Sequence, residues 1–350
     1  KTELALTVSG YSATYDGKAH GITVDLAESD AVVYYSTETE LTAENYKADG
    51  SITAPTRTDA GKTTVYYYVE SANYEPNPIT GFKDIEITPA VLTVTADEKE
   101  KVYGEDDPEL TYQAAGFVNG ETKEAILSGK LSREEGEIAG TYEISQGTLA
   151  ANDNYAIDFT GAEFQIIKAE VTVTVPQAQD LTYNGQAQEL VNAGEVTGGT
   201  MQYVLGTDAE TVPTAESYTT EIPTAADAGT YYIWYRAVGD ESHLDSAAEC
   251  VPVEIAKASI TITADDKSSK YKADIQELTY QIGGDYAEGD ELGIQVSTTA
   301  DNTASVGEYP ITLSWNENPN YEAALVDGIY HVTKTELALT VSGYSATYDG

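Results

Sequence analysis

Nucleophilic catalysis needs a nucleophile, a base within hydrogen-bond reach of it, and a group that orients the base. The three histidines, His20, His243 and His331, fall in three separate stretches of the sequence, and none has a companion motif that would assemble a triad. The same dispersal makes no zinc site, and Cys250, the only cysteine, has no Cys-x-x-Cys partner. The histidines read as surface or sheet-edge residues. Cys250 lies in the alternating run Ala248–Glu254 and reads as a small core residue. No catalytic, cofactor-binding or metal-ligating residue is expected, and the chain does not read as an enzyme.

Carboxylates are plentiful: 59 acidic against 18 basic residues give a formal charge of −41. Such a surface repels phosphate backbones and anionic head groups, so nucleic acid and membranes are poor partners. The densest cluster suited to a turn is Glu105-Asp106-Asp107. Calcium prefers several oxygen ligands on a flexible loop. The cluster lacks the Asp-x-Asp-x-Asp-Gly spacing of a helix-loop-helix calcium site, and the equivalent phrase later in the chain keeps only Asp274. Calcium at the joints between segments is the one cofactor expectation, and a calcium titration of the melting temperature tests it.

Tyrosine is the remaining candidate for recognition, since its amphipathic ring grips glycan or protein at low entropic cost. Tyr66, Tyr67 and Tyr68 are consecutive, however, so in a strand they point to both faces, and one face must be core. With 41% hydrophobic residues and 27 tyrosines, the chain has enough buriable surface to fold despite its charge.

The elements that carry these residues come from repeats. Lys1–Gly17 (KTELALTVSGYSATYDG) returns letter for letter as Lys334–Gly350. Divergent repeats keep a core pattern while surface letters drift, so an identity of this length marks one period of a tandem array plus the start of the next copy. Within the period, Ala13–His20 (ATYDGKAH) matches Leu181–Gln188 (LTYNGQAQ), and Asp59-Ala60-Gly61 matches Asp227-Ala228-Gly229, each ahead of a Tyr-rich strand. A second set alternates with the first: Tyr103–Tyr112 matches Tyr271–Tyr280, Gly140-Thr141-Tyr142 matches Gly307-Glu308-Tyr309, and Asn154-Tyr155 matches Asn320-Tyr321. The order is A (1–88), B (89–168), A′ (169–257), B′ (258–333), with 334–350 opening the next repeat.

Inside each segment the hydrophobic period is two. Leu4–Val8, Val91–Thr95, Val171–Val175 and Ile260–Thr263 alternate apolar residues with Thr as opening strands. The joints at 87–90, 167–169, 255–258 and 332–335 contain no Gly/Ser run that could swivel, and Pro89 fixes φ at the first. One or two helical turns are expected at Glu121–Ser128, with a weak counterpart near Gly289–Leu292.

Short strands, frequent turn residues and segments of about 80 residues predict an all-β chain: four small immunoglobulin-like β-sandwiches in tandem. A β-grasp arrangement is the alternative for segments two and four. The Asp-Ala-Gly-then-Tyr pattern supports the sandwich, because it matches the turn and tyrosine corner of that class.

The Tyr-Asp-Gly and Tyr-Asn-Gly phrases with their Asp-Ala-Gly strands resemble the YDG-type repeats of bacterial surface proteins. Segments two and four resemble the MBG repeats of the Tyr-Gly-x type, including the Gly116–Glu121 phrase GFVNGE. Segment four departs from the pattern at Tyr271-Lys272-Ala273, and segment three has His243-Leu244 where segment one has Asn73-Tyr74. The resemblance implies an extracellular stalk, fibre or adhesin region of a large bacterial cell-surface protein, with neighbouring repeat copies as partners and no catalytic residues. A host glycan or protein gripped through exposed Tyr and loops is the alternative. Surface modules locked by a Lys–Asn cross-link carry the lysine in their first strand; the opening strands here have none.

No apolar run is long enough for a membrane span, and no signal peptide is visible, which locates nothing in a piece of an array. Strands of this length at about 3.3 Å per residue give modules roughly 30 Å long and a rod of about 120 to 150 Å per period. The tail, an opening strand without its module, is expected to fray.

Overall fold

The structure, a computed structural model, describes residues 2–27, 30–75 and 79–349. Lys1 and Gly350, the outer ends of the repeated segment, lie outside the described residues. The chain forms two compact units, Lys1–Ala169 and Glu170–Gly350. Nearly all its regular structure is β.

In the first unit, segment A builds a four-stranded sheet in the order Tyr11–Thr14, Ile79–Thr88, Gly61–Glu70, Val32–Ser36. Leu6–Ser9 pairs with Thr23–Leu26. Along Gly61–Glu70 the alternation sends Val65 and Tyr67 into the core and Tyr66 and Tyr68 to the other face. Tyr68 is nonetheless buried. A helical turn at Tyr46–Asp49, which no periodicity announces, stacks Tyr46 on Tyr68 with ring centroids 4.0 Å apart, and Tyr34 meets Tyr46 edge-on at 4.9 Å.

Segment B is a two-sheet sandwich. One sheet runs Tyr112–Ala115, Ala90–Ala96, Tyr155–Thr160; the other runs Lys99–Val102, Ala162–Ile167, Gly140–Ser145, Ser132–Arg133. Leu92 and Val94 from the first face Ile144, Phe164 and Ile166 from the second, all buried. The expected helix forms at Lys123–Ile126, a single turn that buries Ile126. It is too short to cross a sheet, so the β-grasp alternative is not what forms. Pro89 alone separates the last strand of A from the first of B, and one contiguous cluster runs from Tyr15, Val65 and Ile87 to Ala90, Leu92 and Phe164.

The second unit repeats this plan. A′ orders its sheet Leu181–Thr182, Glu249–Ala256, Gly229–Gly239, Gly199–Gly206. B′ pairs Ala258–Ala264 with Tyr280–Gly284 and Tyr321–Val326, and packs them on Lys267–Lys270, Gly328–Thr333, Gly307–Ser314 and Gln295–Thr298. Its core is likewise continuous, from Tyr183 and Ile233 to Ile260, Ile311 and Tyr330.

Two expectations need correction in this unit. Residues 289–292 form no helix; the chain turns at Gly289, with φ of +108°, and has no regular structure until the strand Gln295–Thr298. Cys250 is not in the core: Val251, Val253 and Ile255 take the inner face of its strand, leaving the half-buried Cys250 opposite Trp234 on the outer one. Burial pushes its thiol pKa up, away from reactivity. The tail 334–349 forms no strand and leaves Leu337, Leu339, Val341, Tyr344 and Tyr348 exposed, whereas Leu4 and Tyr15, the residues matching Leu337 and Tyr348, are buried.

Among the described residues the tyrosine corner is present three times. Tyr142, Tyr231 and Tyr309 each donate their hydroxyl to the carbonyl four residues back, Ile138, Asp227 and Ser305, at 2.8, 2.7 and 2.9 Å. Segment A has Thr63 at that place, and Arg57 does the work instead. Its guanidinium donates to Asp59 O (2.7 Å), Ala60 O (2.6 Å) and Thr63 Oγ1 (3.0 Å).

Candidate functional site: a tyrosine–carboxylate clasp built twice

The phrases that recur along the sequence meet in space. In the first unit Tyr15 continues the strand Tyr11–Thr14 and is tied to the end of its segment by its own N–H, which donates to Thr88 O at 2.8 Å. Its hydroxyl crosses into segment B and donates to Glu121 Oε1 at 2.7 Å. Tyr155, from the Asn-Tyr phrase, donates to the other oxygen, Oε2, at 2.5 Å and accepts the N–H of Val118 at 3.0 Å. The two rings pack edge to face with centroids 5.6 Å apart, both buried.

Beside them, Asn154 reads the Asp-Ala-Gly turn of segment A. Its Nδ2 donates to Asp59 Oδ1 at 3.0 Å, and its Oδ1 accepts the N–H of Ala60 at 2.7 Å. Its backbone carbonyl accepts from Ala90 N, which ties the clasp to the first strand of B.

The second unit rebuilds the arrangement group for group. Tyr183 N–H donates to Ala256 O at 2.9 Å. Tyr183 and Tyr321 donate to one oxygen of Asp290, Oδ2, at 2.7 and 2.6 Å, with rings edge to face at 5.3 Å. Tyr321 accepts the N–H of Ala287 at 3.0 Å. Asn320 binds Asp227 Oδ1 at 3.0 Å and the N–H of Ala228 at 2.8 Å.

The two copies differ where the carboxylate shortens. Asp290 replaces Glu121, and Tyr286 replaces Phe117 four residues earlier; the added hydroxyl of Tyr286 donates to the Asp290 carbonyl at 2.7 Å. An extra donor thus braces the shorter acid.

Glycine is required at the third letter of both Tyr-x-Gly phrases. Gly17 and Gly185 have φ of +71° and +77°, and a Cβ on them would stand 2.6 Å from Asn119 Cβ and 2.9 Å from Ala287 Cβ. The turn lies that close against the facing loop of the B-type segment.

Electrostatics fix the proton positions. The hydrogen bond to Glu121, followed by burial, pushes the Tyr15 hydroxyl up to about 12. Tyr183 is raised first by its bond to Asp290; Tyr155 and Tyr321 are raised first by burial. All four phenols are therefore donors at neutral pH, facing an acceptor.

The residues singled out for chemistry lie apart from one another. His20 stacks on Tyr11 at 4.1 Å and bonds Asp16 at 2.9 Å, His243 bonds Asp240 at 2.7 Å, and His331 stands 3.6 Å from Glu308. Among the described residues no group of three or more His, Cys, Asp or Glu side chains is placed to hold a metal ion. In the Glu105-Asp106-Asp107 cluster, Asp107 is taken by a ring of opposite charges. Lys101, only 6% exposed, reaches Asp107 and Glu137 at 2.7 and 2.6 Å, and Arg133 closes the ring to the same two carboxylates at 2.6 and 2.5 Å. Arg133 also lies over the Phe164 ring at 4.9 Å. In B′ the matching position holds Tyr330, whose hydroxyl accepts the N–H of Gln276 at 2.9 Å, so a neutral bond stands where the ionic ring was.

The family model of the MBG domain (YGX type) matches residues 92–165 and 260–331, which are the bodies of segments B and B′. No curated protein matches the chain. Among solved structures it is similar to extracellular cadherin domains 3–6 of protocadherin gamma B2, at 8% identity and a TM-score of 0.26 over 95% of this chain and all of that one. It is also similar to immunoglobulin domains 1–5 of Sidekick-1, at 13% and 0.26 over 95% and 81%. Invasin, a bacterial integrin-binding protein, aligns at 13% and 0.28 over 94% and 79%. Scores this low carry no argument. The sandwich assignment stands on the strand orders above, and two of the segments are MBG-type repeats.

Proposed function

We propose that the chain is a stretch of structural stalk in an extended bacterial cell-surface protein, made of clasped pairs A·B and A′·B′, with each of the four segments a module. The observation that carries this reading is the fate of the recurrent phrases. Tyr15 and Tyr183 of the Tyr-x-Gly phrases, the Asp-Ala-Gly turns, Asn154-Tyr155 and Asn320-Tyr321, and the acids Glu121 and Asp290 bond one another at one kind of joint, built twice, so their polar groups are spent on holding segments together. A surface of −41 keeps neighbouring copies soluble and apart. No helix among the described residues is long and apolar enough to cross a membrane.

Small-angle scattering over a concentration series tests the proposal. A concentration-independent elongated particle, unchanged by calcium or chelator, is expected; a compact one would contradict it, and growth with concentration would make the chain a fibre subunit.

One observation favours the adhesive reading: Phe82, 60% exposed, sits beside Tyr66 at 6.1 Å on the outer face of the A sheet. Screening the chain and its Phe82→Ala variant against glycans and host matrix proteins tests it, and binding lost in the variant would support it.

A further inference from the structure

We infer that each of the four segments is a tension-bearing element, and that A′ is the first to yield when the chain is pulled by its ends. The argument rests on which strands are neighbours. In every segment a strand near its beginning runs parallel to the strand that ends it. Tyr11–Thr14 pairs with Ile85–Thr88, Lys99–Val102 with Phe164–Ile167, Leu181–Thr182 with Ile255–Ala256, and Lys267–Lys270 with Tyr330–Thr333.

Tension enters such a pair in opposite directions along two adjacent, parallel strands. The hydrogen bonds between them are then sheared together along the strand axis, whereas an antiparallel terminal pair would peel one bond at a time. Forced unfolding is governed by the rate of crossing that barrier, so simultaneous loading slows it.

The tyrosine that opens each recurrent phrase lengthens the ladder by one rung. Tyr15, Tyr103, Tyr183 and Tyr271 donate their N–H groups to the last carbonyls, Thr88, Ile167, Ala256 and Thr333, at 2.8, 2.9, 2.9 and 2.8 Å. Segments B and B′ add a second parallel ladder, Ala90–Thr95 on Tyr155–Thr160 and Ala258–Thr263 on Tyr321–Val326.

The ladders are unequal. The one in A registers four residue pairs, and those in B and B′ four each with the second ladder besides, but the one in A′ registers only two. A′ is the weak link of the period.

This inference takes from the stalk proposal only the source of tension. Should scattering show a compact particle, the order of yielding still holds.

The test is single-molecule force spectroscopy on the full 350-residue chain held at its two ends. Resolved force peaks are expected, the weakest releasing about 250 Å of contour at roughly 3.3–3.6 Å per residue. Two staples assign it, both placed in a Cys250→Ser background. Thr182→Cys with Ala256→Cys joins exposed register partners in A′; Ser12→Cys with Glu86→Cys does the same in A. The oxidised A′ staple removes the weakest peak and reduction restores it, while the A staple removes a stronger one. Extension without peaks, or loss of the weakest peak to the A staple alone, would overturn the inference, and recovery on reduction shows that the variants fold.

Discussion

At the scale of single residues the account turns on the clasp. Tyr155→Phe removes a donor to Glu121 and strands the N–H of Val118, so urea unfolding should show a loss of about 1–3 kcal/mol with an unchanged m value. Tyr321→Phe should do the same to the second unit through Asp290 and Ala287. Gly17→Ala combines a left-handed φ with a contact that cannot be made, and should cost about 1 kcal/mol or more, whereas Gly104→Ala, with open space around it, should meet only the φ penalty. The charged ring sets the acid limit of segment B. Arg133 first, and Lys101 with it, hold Asp107 down at about 2, below an unfolded value of about 4. A lowered pKa contributes stability that is fully present above the unfolded value and is lost as pH falls through the folded one. The melting temperature should therefore fall between about pH 4 and pH 2, and Asp107→Asn should flatten that limb while lowering stability at neutral pH. An Asn variant with the same acid limb would show that Asp107 is not its source.

At the scale of elements, the tyrosine corners give a prediction that separates the segments. Tyr142→Phe, Tyr231→Phe and Tyr309→Phe should each cost about 1 kcal/mol. Arg57→Ala should cost at least as much in A, where the guanidinium makes three bonds at the same turn, and adding Thr63→Tyr should recover part of it. Denaturant midpoints of the four variants and the double mutant decide this. Much at this scale was legible in the sequence. Alternation in Val91–Thr95 and Ile260–Thr263 names strands whose inner residues, Leu92, Val94, Ile260 and Ile262, are all buried. The short helix at 123–126 was visible in its letters, and so were the repeated phrases. The meeting of those phrases was not, because Tyr15 and Glu121, or Asn320 and Asp227, are joined only by tertiary packing across about a hundred residues. Cys250 was misplaced for a different reason: alternation puts it on the face of Pro252 and Glu254, opposite Val251, Val253 and Ile255, and it is half-buried there beside its cross-strand partner Trp234, a contact no local pattern announces. The turn at Tyr46–Asp49 has four residues and no periodic stripe, and only the Tyr34, Tyr46 and Tyr68 rings hold it.

At the scale of the whole molecule, the central claim is that at equilibrium, with no load on the chain ends, the clasp makes a pair of segments, and not the single segment, the cooperative unit; under load the segments differ in the ladder that resists shear. Each pair shares one continuous core and one set of polar bonds across its boundary. A composite core of this kind opens as a unit when breaking either half exposes the other. Native-state hydrogen exchange on the full chain tests this most directly, comparing the strands Gly61–Glu70 and Ala90–Ala96 in the first unit and Gly229–Gly239 and Ala258–Ala264 in the second. Both strands of a pair should share one opening free energy in the native protein. They should separate in the Glu121→Gln and Asp290→Asn variants, each in its own unit only. Different opening free energies within a pair of the native protein, left unmoved by those substitutions, would contradict the claim and return the chain to four independent beads.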